Sequence, residues 1–186
     1  MGCAIIISTK VEFVLFVTIS YIIRVERKII MKGNEKIIAL LNDFLADELT
    51  AISQYMVHSE MCANWGYKKL HEATEKRAID EMKHAEKLIG RILFLEGQPV
   101  VSQLNKINIG ASVEAQLKHD LEAEAGAIKD YNDGIRLCLE LGDNGSRELI
   151  DHNLHDEEEH LDWLEAQLDQ INQIGLQNYL LAQLSE

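Results

Sequence analysis

Apolar residues recur every three or four positions along most of the chain beyond residue 34, the spacing that places them on one side of an α-helix. In the first such segment Ile37, Leu41 and Phe44 follow this pattern, and Gly66 ends it. Three further long segments and one short segment are bounded by glycine or by polar residues suited to helix caps. The pattern predicts four long helices and a short fifth one, at residues 34–65, 67–95, 112–141, 146–173 and 176–184.

The connection between the second and third predicted helices is much longer than the others. It covers residues 97–111 and contains the only proline of the chain, Pro99. An extended segment of this length spans roughly 50 Å, enough to return along a whole bundle, so these two helices should run parallel. The other long helices are joined by short turns and are therefore antiparallel neighbours. We predict an all-α, ferritin-like four-helix bundle with a long crossover and a short C-terminal fifth helix.

Residues 1–30 differ in composition from the rest, because β-branched and aromatic side chains dominate there and acidic residues dominate after Met31. A transmembrane anchor is one interpretation, but charged residues interrupt it and its clean apolar stretch is too short for a bilayer of about 30 Å. A signal peptide is another, although it lacks a clear basic start and cleavage site. The abrupt change favours a third, an extension upstream of a true start at Met31. We expect residues 31–186 to form the ferritin-like domain and residues 1–30 to lie outside the fold.

The overall charge restricts the function. With 31 acidic and 18 basic residues the formal net charge is −13, which argues against a nucleic-acid partner and suits metal cations. The three cysteines are too few and too far apart for a disulfide framework or a zinc motif, which favours a reducing compartment. We therefore expect a cytoplasmic protein without a membrane partner.

Side chains of the types that bind metal ions form a pattern that repeats after 76 residues. The motif Glu-x-x-His occurs twice, and a further glutamate precedes each copy by 33 residues. The six residues are Glu48, Glu81 and His84 in the first half and Glu124, Glu157 and His160 in the second. At 1.5 Å per residue, the two glutamates of each half stand within about 5 Å of the same height on neighbouring helices. Tyr55 and Tyr131 repeat at the same interval. The six side chains can therefore converge inside the bundle.

Four carboxylates buried together without cations would carry a large desolvation and repulsion cost, which two divalent metal ions remove. Carboxylate and imidazole donors suit iron or manganese, with zinc as a competitor. We predict one iron ion at Glu48, Glu81 and His84 and a second at Glu124, Glu157 and His160. Glu81 and Glu157 are expected to bridge the two ions.

Residues 31–186 resemble the bacterioferritin family along their whole length. The matching strings are Met31-Lys32-Gly33, Asn64-Trp65-Gly66, Ile79-Asp80-Glu81-Met82-Lys83-His84-Ala85-Glu86, Arg91-Ile92-Leu93-Phe94-Leu95-Glu96-Gly97, Leu104 with Asn108-Ile109-Gly110, Asp156-Glu157-Glu158 and Gly175-Leu176-Gln177-Asn178-Tyr179-Leu180. The resemblance implies a ferroxidase that oxidises Fe(II) with O2 or H2O2 and stores ferric mineral inside a hollow 24-subunit shell built from dimers. It also implies a ferredoxin as a candidate partner for iron release.

The resemblance further implies b-type haem between paired subunits, with Met82 as axial ligand. Met82 also breaks the internal repeat, because Glu158 stands 76 residues later, and it lies about 100° around the helix from Glu81, away from the metal site. A second apolar stripe on the first helix suggests a subunit contact. This stripe comprises Ile38, Leu45, Leu49, Ile52 and Met56.

For Tyr55 two interpretations remain open: a redox role near the irons, implied by the resemblance, or packing with a hydrogen bond. Asp80 matches an inner-surface iron position of some family members, but Lys76 replaces the usual histidine, which puts that third site in doubt. We expect the two tryptophans to be packing residues and the remaining histidines to lie at the surface. These residues are Trp65, Trp163, His58, His71, His119, His152 and His155. The alternative function is a non-storage di-iron oxidase or peroxidase of the rubrerythrin kind, which the absence of Cys-x-x-Cys pairs disfavours.

Overall fold

The computed structural model describes residues 32–184, and all regular elements in this part of the chain are α-helices. They are α1 (Glu35–Asn64), α2 (Lys68–Phe94), α3 (Val113–Leu141), α4 (Asn144–Ile174) and α5 (Leu176–Ala182). The predicted all-α architecture with four long helices and a short fifth is confirmed. The predicted N-terminal extension lies outside the described residues.

Side-chain caps fix most of the helix starts. Ser112 caps α3 as predicted, since its hydroxyl accepts a hydrogen bond from the N–H of Ala115 at 3.3 Å. Helix α4 begins at Asn144, two residues earlier than predicted, because the carboxylate of Asp143 accepts the N–H of Ser146 at 2.9 Å. Aspartate can therefore cap this helix directly after the turn, and the predicted loop is shorter than its glycines suggested.

The crossover between α2 and α3 runs along α1 and is fastened to it by a ladder of buried or part-buried hydrogen bonds. Three polar side chains of α1, spaced four residues apart, accept backbone N–H groups of the crossover. The pairs are Thr50 with Asn105 at 2.7 Å, Gln54 with Asn108 at 2.9 Å and His58 with Gly110 at 3.0 Å. Because positions along α1 and along the crossover rise together, the crossover climbs the full bundle and α2 and α3 run parallel, as predicted.

His58 corrects one expectation, since it was assigned to the surface and is buried with 1% exposure. Its Nε2 accepts the N–H of Gly110, so its Nδ1 carries a proton and donates to Asp120 at 2.9 Å. The imidazole is therefore a structural link between the crossover, α1 and α3. His71 and His119 are half-buried, and only His152 and His155 are exposed as expected.

Two apolar clusters fill the ends of the bundle. One includes Leu41, Leu88 and Ile150, and the other, near α5, includes Leu164 and Tyr179. Leu45 belongs to the first cluster and is fully buried, so its assignment to an outward stripe was wrong. The other members of that stripe are half-buried or exposed: Ile38, Leu49, Ile52 and Met56. Within the described residues, no helix has the length and apolar character needed to cross a membrane.

Replacing Gly110 with alanine is expected to destabilise the fold. A Cβ atom at this position would lie 2.3 Å from the backbone nitrogen of Gln116, which is part of α3 and cannot move aside. Relief of the overlap would shift the end of the crossover and weaken the bond from Gly110 to His58. We expect a loss of about 1–3 kcal/mol in the free energy of unfolding, measured by chemical denaturation.

The matched control is Gly90→Ala in the middle of α2. A Cβ atom there has no neighbour within 4 Å, and alanine is the better helix former, so stability should rise by about 0.5–1 kcal/mol. Equal effects of the two substitutions would contradict the close approach of Gly110 to α3.

Candidate metal centre

The six residues predicted as ligands meet in the middle of the bundle, between the two apolar clusters. The four glutamates and His84 are each at most 4% exposed, and His160 is part-buried. Each long helix contributes: Glu48 from α1, Glu81 and His84 from α2, Glu124 from α3, and Glu157 and His160 from α4. The helix arithmetic made from the sequence thus agrees with the geometry.

Their donor atoms fall into two compact groups that share two members. Glu48, Glu81, His84 and Glu157 offer ligand atoms that all lie within 4.8 Å of one another. Glu81, Glu124, Glu157 and His160 form the second such group. The shared residues Glu81 and Glu157 are the pair expected to bridge.

The two imidazoles present the same atom to the centre. His84 Nδ1 lies 3.0 Å from Glu81 Oε2 and 3.1 Å from Glu157 Oε1. His160 Nδ1 lies 3.2 Å from an oxygen of each of the same two carboxylates. The pseudo-twofold relation in the sequence is therefore preserved in the position of each nitrogen.

Asp156 orients His84 from the side opposite the centre. Its Oδ2 lies 3.0 Å from His84 Nε2, so Nε2 carries a proton and Nδ1 is the nitrogen left to bind a metal ion. A carboxylate in this role also raises the basicity of the imidazole. Asp156 stands 76 residues after Asp80, so the repeat contained a signal for it, although it was not singled out.

Each half of the chain supplies a tyrosine to the glutamate of the other half. Tyr55 on α1 donates to Glu124 Oε1 at 2.6 Å, and Tyr131 on α3 donates to Glu48. Both rings are buried. These bonds connect α1 and α3 across the centre and fix the orientation of the two carboxylates that are not shared.

Burial and mutual repulsion control the protonation of the carboxylates. Burial and the nearby Glu81 and Glu157 raise the pKa of both Glu48 and Glu124 well above the usual value. Burial also acts to raise the pKa of Glu157, but hydrogen bonds from His160 and His84 outweigh it and lower that pKa. In the absence of metal ions, protons therefore hold part of the cluster together.

The residues fit a pair of divalent metal ions. Glu81 Oε1 is buried and makes no hydrogen bond of good geometry within the described residues, which leaves an acceptor facing the centre. Four carboxylates and two imidazoles supply hard oxygen and borderline nitrogen donors in the ratio that suits iron or manganese. Two dications would neutralise the four carboxylates and replace the protons that otherwise screen them.

Two cavities reach the centre from opposite faces of the bundle. A cavity of about 260 Å³ between α1, α3 and the crossover is lined by Glu48, Glu124 and the more peripheral acids Asp47, Glu122 and Asp130. A second, of about 370 Å³ on the α2–α4 face, is lined by His160, Trp163, Arg77 and Asp80 among others. The centre is thus buried but open to small ions on either side.

Met82 and Asp80 lie outside the centre. Met82 is 54% exposed, as expected for a side chain that points away from the ligand glutamates. Asp80 is bound by Lys76 Nζ at 2.7 Å and by Lys83 Nζ at 2.8 Å. Burial acts to raise the Asp80 pKa, but the two lysines outweigh it and lower that pKa. A carboxylate held by two ammonium groups is a poor cation ligand, in line with the doubt raised by Lys76.

Arg77 is the buried residue near the centre that the sequence analysis missed. It is 4% exposed and lies over the rings of Tyr55 and Trp163, with its Cζ 5.4 and 4.9 Å from their centroids. Its Nε is 3.9 Å from Glu124 Oε1. A basic residue on a charged helix gives no sign of burial, and the repeat gives none either, because position 153 is asparagine.

Comparison with known proteins agrees with this architecture. The model of the ferritin-like domain family matches residues 38–174. Bacterioferritin of Brucella melitensis biotype 1 is 42% identical over 149 residues, covering 80% of this chain and 92% of that protein. Bacterioferritin of Rhodobacter capsulatus is 41% identical over 151 residues, covering 81% and 94%. The bacterial ferritin of Synechocystis is 42% identical over 156 residues, covering 83% of this chain and all of that protein.

These matches span all four long helices, and they join the shared carboxylates, the two Glu-x-x-His motifs and the crossover in one pattern. The chain therefore belongs to the bacterioferritins of the ferritin-like family.

Proposed function

We propose that this chain is an iron-storage protein that oxidises Fe(II) at the six-residue centre and keeps the ferric product inside a shell. The single observation that carries the proposal is the sharing of Glu81 and Glu157 by two buried donor groups. Two ferrous ions held by shared carboxylates are close enough to deliver two electrons together to one molecule of O2 or H2O2. The bacterioferritin relatives support iron storage.

Each residue has a defined part in this proposal. Glu48 with His84, and Glu124 with His160, hold one Fe(II) ion each, while Glu81 and Glu157 bridge them. Asp156 holds His84 with Nδ1 facing the centre. Tyr55 fixes Glu124 through its hydroxyl and, as a buried phenol beside the substrate ions, is the candidate for a redox role.

The acidic cavity between α1 and α3 is the proposed entry for Fe(II). Asp47, Glu122 and Asp130 stand along it before the ligand glutamates are reached. Carboxylates lining a narrow cleft raise the local concentration of cations. The α2–α4 face, where Asp156 and Glu159 are found, is the proposed side of ferric product release, and its acids can nucleate mineral.

Shell assembly and haem binding complete the proposal. Large apolar side chains remain exposed on single subunits, including Met56, Ile79, Met82, Leu93 and Phe94, which is typical of surfaces that subunit contacts cover. We propose dimers that build a 24-subunit shell, with b-type haem held between the Met82 side chains of two subunits. An exposed thioether beside other apolar side chains fits an axial ligand of this kind. Haem supplies an electron path for mineral reduction, and a ferredoxin is the candidate electron donor. A cytoplasmic location suits this role.

Size and iron loading test the proposal together. The purified protein should elute as a very large assembly by size-exclusion chromatography with light scattering, and should retain far more than two iron atoms per subunit after aerobic addition of Fe(II). A small dimer that oxidises Fe(II) but retains only about two iron atoms per subunit would instead support the rubrerythrin-like alternative. Rapid oxidation measured by stopped flow is expected in either case, so its absence would contradict both.

A further inference from the structure

The two halves of the centre match in their ligands but differ in the charges around them. Glu48 and His84 are the counterparts of Glu124 and His160 at the 76-residue interval. Around these pairs, the residues at the same interval are no longer alike. The differences lie on α2 and α4 and involve one buried cation and one buried carboxylate.

The first difference is Arg77. Its Nε lies 3.9 Å from Glu124 Oε1, and its Nη1 lies 3.8 Å from Asp120 Oδ2 without a hydrogen bond in the described structure. The residue at the corresponding place in the second half is Asn153, which is fully buried and neutral. Among the described residues, no lysine or arginine forms an ion pair with Glu48.

The second difference concerns the aspartates at positions 80 and 156. Asp156 lies 3.0 Å from His84 Nε2 and adds a negative charge behind that ligand. Its counterpart Asp80 is bound by Lys76 and Lys83, with both ammonium groups within 2.8 Å of its carboxylate. The His84 side is therefore backed by a carboxylate, whereas the equivalent carboxylate on the other side is neutralised.

We infer that the two metal positions differ in affinity, with the position at Glu48 and His84 binding a divalent cation more tightly than the position at Glu124 and His160, and that Arg77 is the main determinant of the difference. This inference rests on the proposed function of the centre as a binding site for two metal ions. A guanidinium about 4 Å from a ligand oxygen repels a dication there, and the effect is large because the site is buried. Asp120 offsets part of this charge, but the difference between the halves keeps its sign.

The consequence concerns which ion leaves the centre first. His160 and Arg77 both line the cavity on the α2–α4 face. The weaker position is therefore the one that borders this cavity, so an ion released from the pair leaves on that side. Arg77 acts in this scheme as a positioning residue that tunes affinity through Glu124, without binding the metal itself.

Anaerobic titration of the metal-free assembly with Co(II) tests the inference, because Co(II) reports binding without oxidation. Calorimetry and the visible absorbance of bound Co(II) should resolve two steps per subunit with dissociation constants at least about tenfold apart. Glu124→Ala should remove the weaker step, and Glu48→Ala the tighter one. Arg77→Gln should tighten the weaker step by about tenfold, whereas Arg77→Lys should preserve the gap.

Two further variants keep the test decisive. Lys68→Gln removes an exposed cation of the same helix that pairs only with Glu72, and should leave both steps unchanged. Asp156→Asn should weaken the tighter step by about tenfold, independently of whether Arg77→Gln folds. Two equal steps in the unchanged protein, loss of the tighter step in Glu124→Ala, or an unchanged gap in folded Arg77→Gln would overturn the inference. Absence of any Co(II) binding would instead contradict the proposed function.

Discussion

Replacing Glu48 with alanine is expected to reduce the initial rate of Fe(II) oxidation by roughly 100-fold or more. Glu48 is the carboxylate that completes one donor group without being shared, so its loss leaves that Fe(II) ion with His84 and two bridging glutamates that also serve the other ion. A pair of ions is needed to supply two electrons at once, so loss of one position stops the paired step. Stopped-flow absorbance after mixing the protein with Fe(II) and oxidant measures the rate.

The fold should survive this change, because removal of one buried carboxylate also relieves repulsion from Glu81 and Glu157. The hydroxyl of Tyr131 loses its acceptor, at a cost of about 1–3 kcal/mol, which a large assembly tolerates. Glu60→Ala, at an exposed position of α1, is the matched control and should oxidise Fe(II) at the normal rate. Rapid oxidation in a correctly assembled Glu48→Ala protein would remove Glu48 from the centre.

The helices and the positions of the six ligands could be predicted because both follow from regular geometry. The 76-residue interval between Glu48 and Glu124, and between Glu81 and Glu157, places each residue at one height on one face of a straight helix. Rise per residue and side-chain periodicity then determine which residues meet. The length of the crossover determined the parallel arrangement of α2 and α3 for the same reason.

Contacts made by irregular backbone or by single charges could not be predicted in this way. His58 lies on α1 at a position that periodicity alone does not distinguish from the surface, and it is buried because the crossover covers it. Arg77 looks like one of many charges on α2, and only the packing of α3 and Trp163 around it shows that it is buried. Asp143 capped α4 where glycines suggested a longer turn. Each of these features depends on a neighbour distant in sequence.

Replacing Met82 with leucine is expected to abolish haem binding, because leucine has a similar volume but no sulfur atom to ligate iron. Met82 is more than half exposed on α2 and faces away from the metal centre, so nothing within its own subunit explains a methionine there. In the proposed dimer the two Met82 side chains would provide both axial bonds, and the substitution removes both at once. The absorbance of haem in the purified assembly, or after reconstitution with added haem, measures the result.

Met56→Leu is the matched control for this substitution. Met56 is exposed to nearly the same extent on α1, so it tests whether loss of any exposed methionine on this hairpin disturbs the surface. Haem absorbance should remain in Met56→Leu and disappear in Met82→Leu, while both variants keep the initial rate of Fe(II) oxidation that depends on Glu48. A full haem spectrum in Met82→Leu would assign the ligand elsewhere. Loss in both variants would show that packing of the apolar surface, rather than the bond to sulfur, controls haem binding.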